Sequence, residues 1–307
     1  MLDYHVHLWP HELIAEPAEL SLDRLRVYCE RANANGVAEI ALTEHLFRFK
    51  DVEGLLATQY RDERNPDLQA QMAGYFLHHA TEELDHYVEA VLEAKAAGLP
   101  VVLGLEVDYY PGKMAEVGEL LAGYPFDVLL GSVHWLGAWM FDVLSEAAVT
   151  REWERRGTEA AWLAYTEAIC ELAETASVDV LAHPDVIKVT GRRPGLAQLE
   201  ECHERIAAAT ASAGLAAEIS SAGWRKPAGE AYPAPALLEA FYRHGVPITT
   251  ASDTHGLGNL ADRGAELRAL ARSAGYDRLS AFAMRRGYDV LLETGVEQDA
   301  TPPAPAL

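Results

Sequence analysis

The tightest restriction on the fold is an alternation that runs through most of the chain. Short stretches rich in Val, Ile and Leu recur at 2–7, 37–43, 101–107, 128–134, 178–183, 215–219 and 248–252. Amphipathic segments rich in Ala, Leu and Glu separate them, at 20–35, 80–97, 114–122, 159–176, 196–213, 236–244 and 260–274. The first set has the length and side chains of strands; the second has the period of helices with one apolar face. Asn35-Gly36, Gly98-Leu99-Pro100, Ala213-Gly214 and His244-Gly245 close the helices with residues that helix ends favour. Parallel strands need a crossover between each pair, so seven βα units in series predict an α/β chain whose strands close into a barrel. Two longer inserts, 48–79 and 135–158, follow the second and fourth strands and so belong to the C-terminal mouth of that barrel. One domain is expected over 1–296, with a frayed tail over 297–307 that ends in ATPPAPAL.

Charge narrows the partners. The 47 acidic and 25 basic residues give a formal net charge of -22, a surface that repels phosphate backbones and anionic headgroups. Nucleic acid and membranes are therefore not expected partners, whereas divalent cations and a small substrate are. No apolar run approaches the roughly 18 residues that a membrane span needs. Cys29, Cys170 and Cys202 are far apart and form no CxxC pair, as suits reduced thiols in a cytoplasmic protein.

The unusual polar residues fall at one end of the strands. His5 and His7 close the first strand two residues apart, so its period of two points both to one face. Glu44 and His45 follow the second, Glu106 ends the third, His134 the fourth, His183 the fifth and Glu218 the sixth, and Asp253 and His255 follow the seventh. In α/β barrels the loops at that end converge on one pocket. Packing so many imidazoles and carboxylates together without cations would strand several of them, at about 1–3 kcal/mol for each unsatisfied group. Imidazole and carboxylate together suit zinc, manganese or iron, whereas calcium favours oxygen alone. The number of donors exceeds what one ion can use, so two to three divalent metal ions are expected. His78, His79, His86, His203 and His244 lie away from strand ends and are expected to have surface or core roles.

Jointly, these residues match a family. His5-Val6-His7, Thr43-Glu44-His45, GLEVDYYPG at 104–112, Ser132-Val133-His134, AHPD at 182–185 and SDTH at 252–255 resemble the polymerase-and-histidinol-phosphatase (PHP) superfamily. EISSAGWRKPAGEAYP at 218–233 resembles the segment that marks its histidinol-phosphatase branch. The resemblance covers roughly residues 1–290. It implies a distorted seven-stranded (βα) barrel with a three-metal site. One ion would take His5, His7, Glu106 and Asp253; a second would share Glu106 and take His134 and His183; a third would use His45, His255 and His11. Family members place the counterpart of His11 further from the HxH pair, so LWPHE at 8–12 departs from the pattern.

The resemblance also implies a metal-dependent phosphatase of histidine biosynthesis that hydrolyses L-histidinol phosphate by attack of a metal-bridging hydroxide, with no covalent enzyme intermediate. Lys188, Arg192 and Arg193 follow the fifth strand, and Arg225 and Lys226 the sixth. Guanidinium suits phosphate, and Arg225, Arg192 and Lys188 are the candidates for it. Trp135, Trp139 and Trp224 are candidates to wall a ring-bearing substrate, and Asp108, Asp142 or Glu230 to meet an amine. Asp185, His255 or a metal-bound water would protonate the leaving group. The competing readings are a phosphoesterase for another small ester, such as a sugar phosphate or nucleotide; a PHP nuclease; and a non-catalytic module that kept the fold.

Overall fold

The computed structural model describes residues 1–10 and 20–292. His11 and the expected tail lie outside the described residues. Seven strands form one sheet in chain order: β1 (Leu2–Val6), β2 (Glu39–Leu42), β3 (Val101–Asp108), β4 (Val128–Ser132), β5 (Val180–Leu181), β6 (Ala216–Ser220) and β7 (Ile248–Ala251). Every neighbouring pair is parallel. Around the sheet run α1 (Leu22–Ala34), α2 (Glu53–Tyr60), α3 (Pro66–His79), α4 (Leu84–Ala96), α5 (Met114–Leu121), α6 (Ala147–Arg156), α7 (Thr158–Glu174), α8 (Leu196–Ser212), α9 (Pro235–Arg243) and α10 (Gly264–Ser273). Helices α2 and α3 fill the first insert and α6 the second. Among the described residues no helix is long and apolar enough to cross a membrane.

Local chemistry sets the element ends. Ser21 caps α1 by accepting from the Arg24 N–H, and Asn65 caps α3 just before Pro66 at its first turn. Helix α4 starts later than its apolar pattern predicts because Lys50 N–H donates to Glu82 O and Glu82 N–H to Arg48 O, holding that stretch extended. Gly214, with φ of 69°, turns the chain from α8 into β6.

The barrel closes with little ladder. Between β1 and β7 there is one parallel bridge, Val6 to Thr254, with His7 N–H donating to Thr254 O at 2.8 Å. Side chains complete the seam: Thr250 Oγ1 donates to Leu2 O, and Asp3 accepts from Ser252 N–H and Ala261 N–H at 2.8 and 2.9 Å. Asp3, 1 % exposed, therefore substitutes for missing ladder partners.

The other end of the barrel is plugged by an antiparallel hairpin, β8 (Arg278–Ala283) and β9 (Arg286–Leu291), that strand periodicity did not reveal. Leu279, Ala281 and Phe282 pack with Leu2, Tyr4, Val102, Val128, Val180 and Ile248. Arg285 pairs with Asp179, and the Met284 N–H donates to Asp127. Both carboxylates precede strands, so the hairpin covers the strand beginnings and leaves the histidine end as the open mouth.

Candidate metal and phosphate site

Glu106, at 0 % exposure on β3, is the hub of the mouth. Its Oε2 lies 3.3 Å from His5 Nε2, 3.5 Å from His7 Nε2 and 2.6 Å from His45 Nδ1. Its Oε1 lies 3.0 Å from His183 Nε2 and 3.4 Å from His134 Nε2. Asp253 Oδ1 stands 3.7 Å from His7 Nε2 and 3.8 Å from His255 Nδ1. Two pairs of ring nitrogens face each other directly: His134 Nε2 and His183 Nε2 at 3.2 Å, and His45 Nε2 and His255 Nε2 at 3.3 Å. Six strand ends thus bring His5, His7, His45, Glu106, His134, His183, Asp253 and His255 together, and Glu218 of the remaining strand stands behind His5. His45 also spans two parts of the cluster, reaching Glu106 through Nδ1 and His255 through Nε2.

A carboxylate behind the ring fixes three of these imidazoles. His5 Nδ1 meets Glu218 at 2.8 Å, His7 Nδ1 meets Glu44 at 3.3 Å and His134 Nδ1 meets Asp108 at 2.6 Å. A carboxylate only accepts, so each Nδ1 carries the proton and each Nε2 of the neutral ring offers a lone pair toward Glu106. His5 Nε2, His7 Nε2 and Glu106 Oε2 accordingly make no hydrogen bond although all are buried. Lone pairs converging from imidazole and carboxylate are what a divalent cation neutralises, so the residues fit metal ions. Four sets offer three ligand atoms within 4.8 Å of one another: His5, His7 and Glu106; His45, Glu106 and His134; His7, His45 and His255; and His5, His183 and Glu218. In the last, Glu218 is already committed to His5 Nδ1 and to the His183 N–H at 2.7 Å, which makes it an orienting group.

Without cations, protons take their place. Burial opposes charge on His5, but Glu218, Glu106 and Asp253 together raise its pKa well above the ordinary value. On His134 burial is likewise outweighed by Glu106 and Asp108, which push the pKa up to about 10. Burial and neighbouring His7 drive His45 well below its usual range. Near pH 7 a cation must therefore displace protons from His5 and His134, and apparent metal affinity should climb with pH until His134 has titrated near about 10. Calorimetric titration of the metal-stripped protein in buffers of different ionisation enthalpy should register net proton release. Buffer-independent heats would contradict this.

Two residues of the cluster sit on strained backbone. His183 and Asp253 have φ of 26° and 50°, values that cost a non-glycine residue about 1–3 kcal/mol each. Arg225 pins the second bend, its Nη2 donating to Ser252 O and Asp253 O at 2.7 and 3.1 Å. The turn that carries Arg225 passes so close to the following chain that a Cβ on Gly223 would lie 2.1 Å from Glu230 O. Only glycine fits that approach.

Above the cluster opens a cavity of about 790 Å³, within the range of small-ligand sites. His45, His134, His183, Asp253 and His255 form its floor, and Arg225 and Lys226, Trp135 and Phe47, Tyr75 and Tyr232, and Asp142 stand on its walls. The PHP domain family matches residues 17–222. The chain belongs to the PHP family. A probable histidinol-phosphatase of Deinococcus radiodurans is 34% identical over 189 residues, which span 60% of this chain and 70% of that relative. In the solved structures, histidinol phosphate phosphatase from Lactococcus lactis subsp. lactis, complexed with zinc, L-histidinol and phosphate, matches with a TM-score of 0.65 at 21% identity. The match covers 94% of this chain and 98% of that one. These relatives place the PHP domain in the histidinol-phosphatase branch.

Four residues expected at the substrate of this PHP domain stand elsewhere. Trp139 is fully buried, its Nε1 donating to Val149 O at 3.3 Å and its ring set against Trp153 at 4.9 Å; it anchors the insert and does not wall the cavity. Arg192 points to the surface and pairs with Glu154. Lys188 and Asp185 form a buried ion pair at 2.7 Å; the lysine also meets Glu230 at 3.1 Å and the aspartate accepts from the Ala234 N–H. The short helical turn over Val186–Thr190 brings Val186 and Val189 to the cavity, while Asp185 and Lys188 are paired with each other and do not line it. Asp185 is therefore a strut and not a proton donor to substrate. Sequence reasoning also missed Arg48, buried beside Glu44 at 2.9 Å and donating to Trp9 O and Pro10 O. Its spacing of four from Glu44 was the available signal.

Proposed function

We propose that the chain is a metal-dependent phosphomonoesterase that hydrolyses L-histidinol phosphate to L-histidinol and inorganic phosphate. The observation that carries this is Glu106, which turns each carboxylate oxygen to a different set of imidazoles at the floor of a cavity walled by Arg225 and Lys226. The names of the relatives supply the substrate. One set, His5, His7, Glu106 and Asp253, would hold one cation; His134, His183 and Glu106 a second; His45 and His255, with His11, a third. Zinc is the first candidate, because the Lactococcus enzyme holds it, and manganese and iron suit the same donors. Bound there, divalent cations would lower the pKa of bound water and would offset charge on phosphoryl oxygens.

The remaining work falls to side chains of the barrel. Arg225 and Lys226 draw the phosphate to the floor through an otherwise acidic surface. Glu218, Glu44 and Asp108 hold the ligand rings in one tautomer. With two cations bound, His255 at the rim is the imidazole placed to give the leaving alkoxide a proton from Nε2; with three it serves as a ligand. The catalytic unit is the single barrel of residues 1–296, working in the cytoplasm, where Cys29, Cys170 and Cys202 stay as thiols.

The test is phosphate release from L-histidinol phosphate by metal-replete protein, beside a panel of sugar phosphates and nucleotides. Turnover should fall to background after chelation and return with added metal. Turnover of another ester with none of L-histidinol phosphate would overturn the substrate, and chelator-resistant turnover the mechanism.

A further inference from the structure

Among the described residues, several buried carboxylates are matched to a cation. Glu44 has Arg48, Asp108 has His134, Asp127 has Lys95, Glu152 has Arg155 and Arg156, and Asp185 has Lys188. Asp142 lines the cavity, yet among the described residues no Lys, Arg or His nitrogen comes within 4.0 Å of it. Burial raises its pKa, and the more distant His134, Lys226 and His183 offset that only in part. A desolvated carboxylate facing an open space is a group built to meet a positive ligand.

Its position is fixed and not incidental. The loop after β4 is tied by Leu136 N–H to Trp139 O at 3.0 Å, Val143 N–H to Met140 O at 3.2 Å and Leu144 N–H to Asp142 O at 2.9 Å. Trp153 Nε1 donates to Phe141 O, the carbonyl next to Asp142, at 3.0 Å. Trp139 and Trp153 then wedge the loop against the barrel. The tryptophan expected to touch substrate instead anchors the loop that carries Asp142. Such support keeps a binding group in place before the ligand arrives.

We propose that Asp142 is a specificity-determining residue that binds a cationic nitrogen of the substrate while Arg225 and Lys226 hold its phosphate. The cavity, with both signs of charge on its walls, takes zwitterionic phosphomonoesters in preference to those with neutral tails. This rests on the phosphomonoesterase reading above and narrows its substrate class.

The test compares wild type and Asp142→Asn on L-histidinol phosphate, on p-nitrophenyl phosphate and on two half-substrates, ethanolamine phosphate and 2-(imidazol-4-yl)ethyl phosphate. Asp142→Asn should lose about 10- to 100-fold in kcat/KM on L-histidinol phosphate, mostly through KM. It should stay within about twofold of wild type on p-nitrophenyl phosphate and keep its metal content. The half-substrate whose turnover falls identifies the nitrogen, ammonium or imidazolium. Asp142→Lys should reverse the preference toward an anionic ester such as 3-phosphoglycerate, a gain that mere damage to the fold cannot produce. Equal losses on charged and neutral esters without that reversal, or no loss at all, overturn the assignment of Asp142. A wild type with no turnover of any of these esters overturns the phosphomonoesterase reading itself.

Discussion

Glutamine in place of Glu106 should remove bound metal from both halves of the site and cut phosphate release by roughly a thousandfold or more. Removing even one electrostatic stabiliser from an active site costs about 10²–10³ in rate, and here the lost group serves two sets of imidazoles. An amide keeps the size of the side chain but offers one neutral acceptor where two charged oxygens stood. His5, His7 and His45 on one side, and His134 and His183 on the other, lose their shared partner together. Elemental analysis beside the activity assay checks this, with His86→Ala, an exposed change on α4, as the variant that should match wild type in both. Full metal occupancy in Glu106→Gln would remove the bridge from this description of the site.

The second large effect concerns stability. Arg48→Met should destabilise the metal-stripped protein by about 3–5 kcal/mol, the cost of leaving one member of a buried ion pair alone. Glu44, wholly buried, accepts from Arg48 Nε and from the N–H groups of Leu8, Trp9 and His45, and it meets His7 Nδ1. Burial pushes its pKa up, but Arg48 and His7 outweigh that and hold the carboxylate ionised. Removing the guanidinium leaves that charge with backbone N–H groups and the His7 ring alone. Because Glu44, the partner of His7, is then held less firmly, metal affinity should weaken by roughly 10–100-fold as well. Urea unfolding of the stripped variant gives the first quantity and a competitive chelator titration the second. A loss below about 1 kcal/mol would show that the ion pair is dispensable.

Sequence revealed the cluster of imidazoles and carboxylates at the mouth more fully than the walls of the cavity, for a physical reason. A residue within two positions of the C-terminal end of a parallel strand in a closed barrel has few directions to face, so His5, Glu106, His134 and His183 could be placed from periodicity and strand order. A residue three or more positions into a loop can turn anywhere, and Lys188 and Arg192 turned toward their own carboxylates. Bulk misled at Trp139: a large ring in a mouth insert fills the insert's own core before it reaches a ligand. The orienting roles of Glu44, Asp108 and Glu218 were hidden because a sequence shows that a carboxylate is near the site, not which ring it stands behind. The β8–β9 hairpin escaped notice because its outer face is exposed and its alternation weak, with buried residues supplied mostly by β8.

The spread of ligands along the chain bears on its biosynthesis. His5 leaves the ribosome early, while Asp253 and His255 follow almost the whole barrel, and β7 must dock on β1 before the first and last of them meet. With the proposed ligands, a nascent chain could not load its full set of ions while it is being made. Once loaded, a cation on His5, His7, Glu106 and Asp253 would staple segments some 250 residues apart, across the seam where Asp3, Thr250 and one bridge otherwise do the joining. Metal supply in the cell would then govern how long the finished enzyme survives as well as how fast it works.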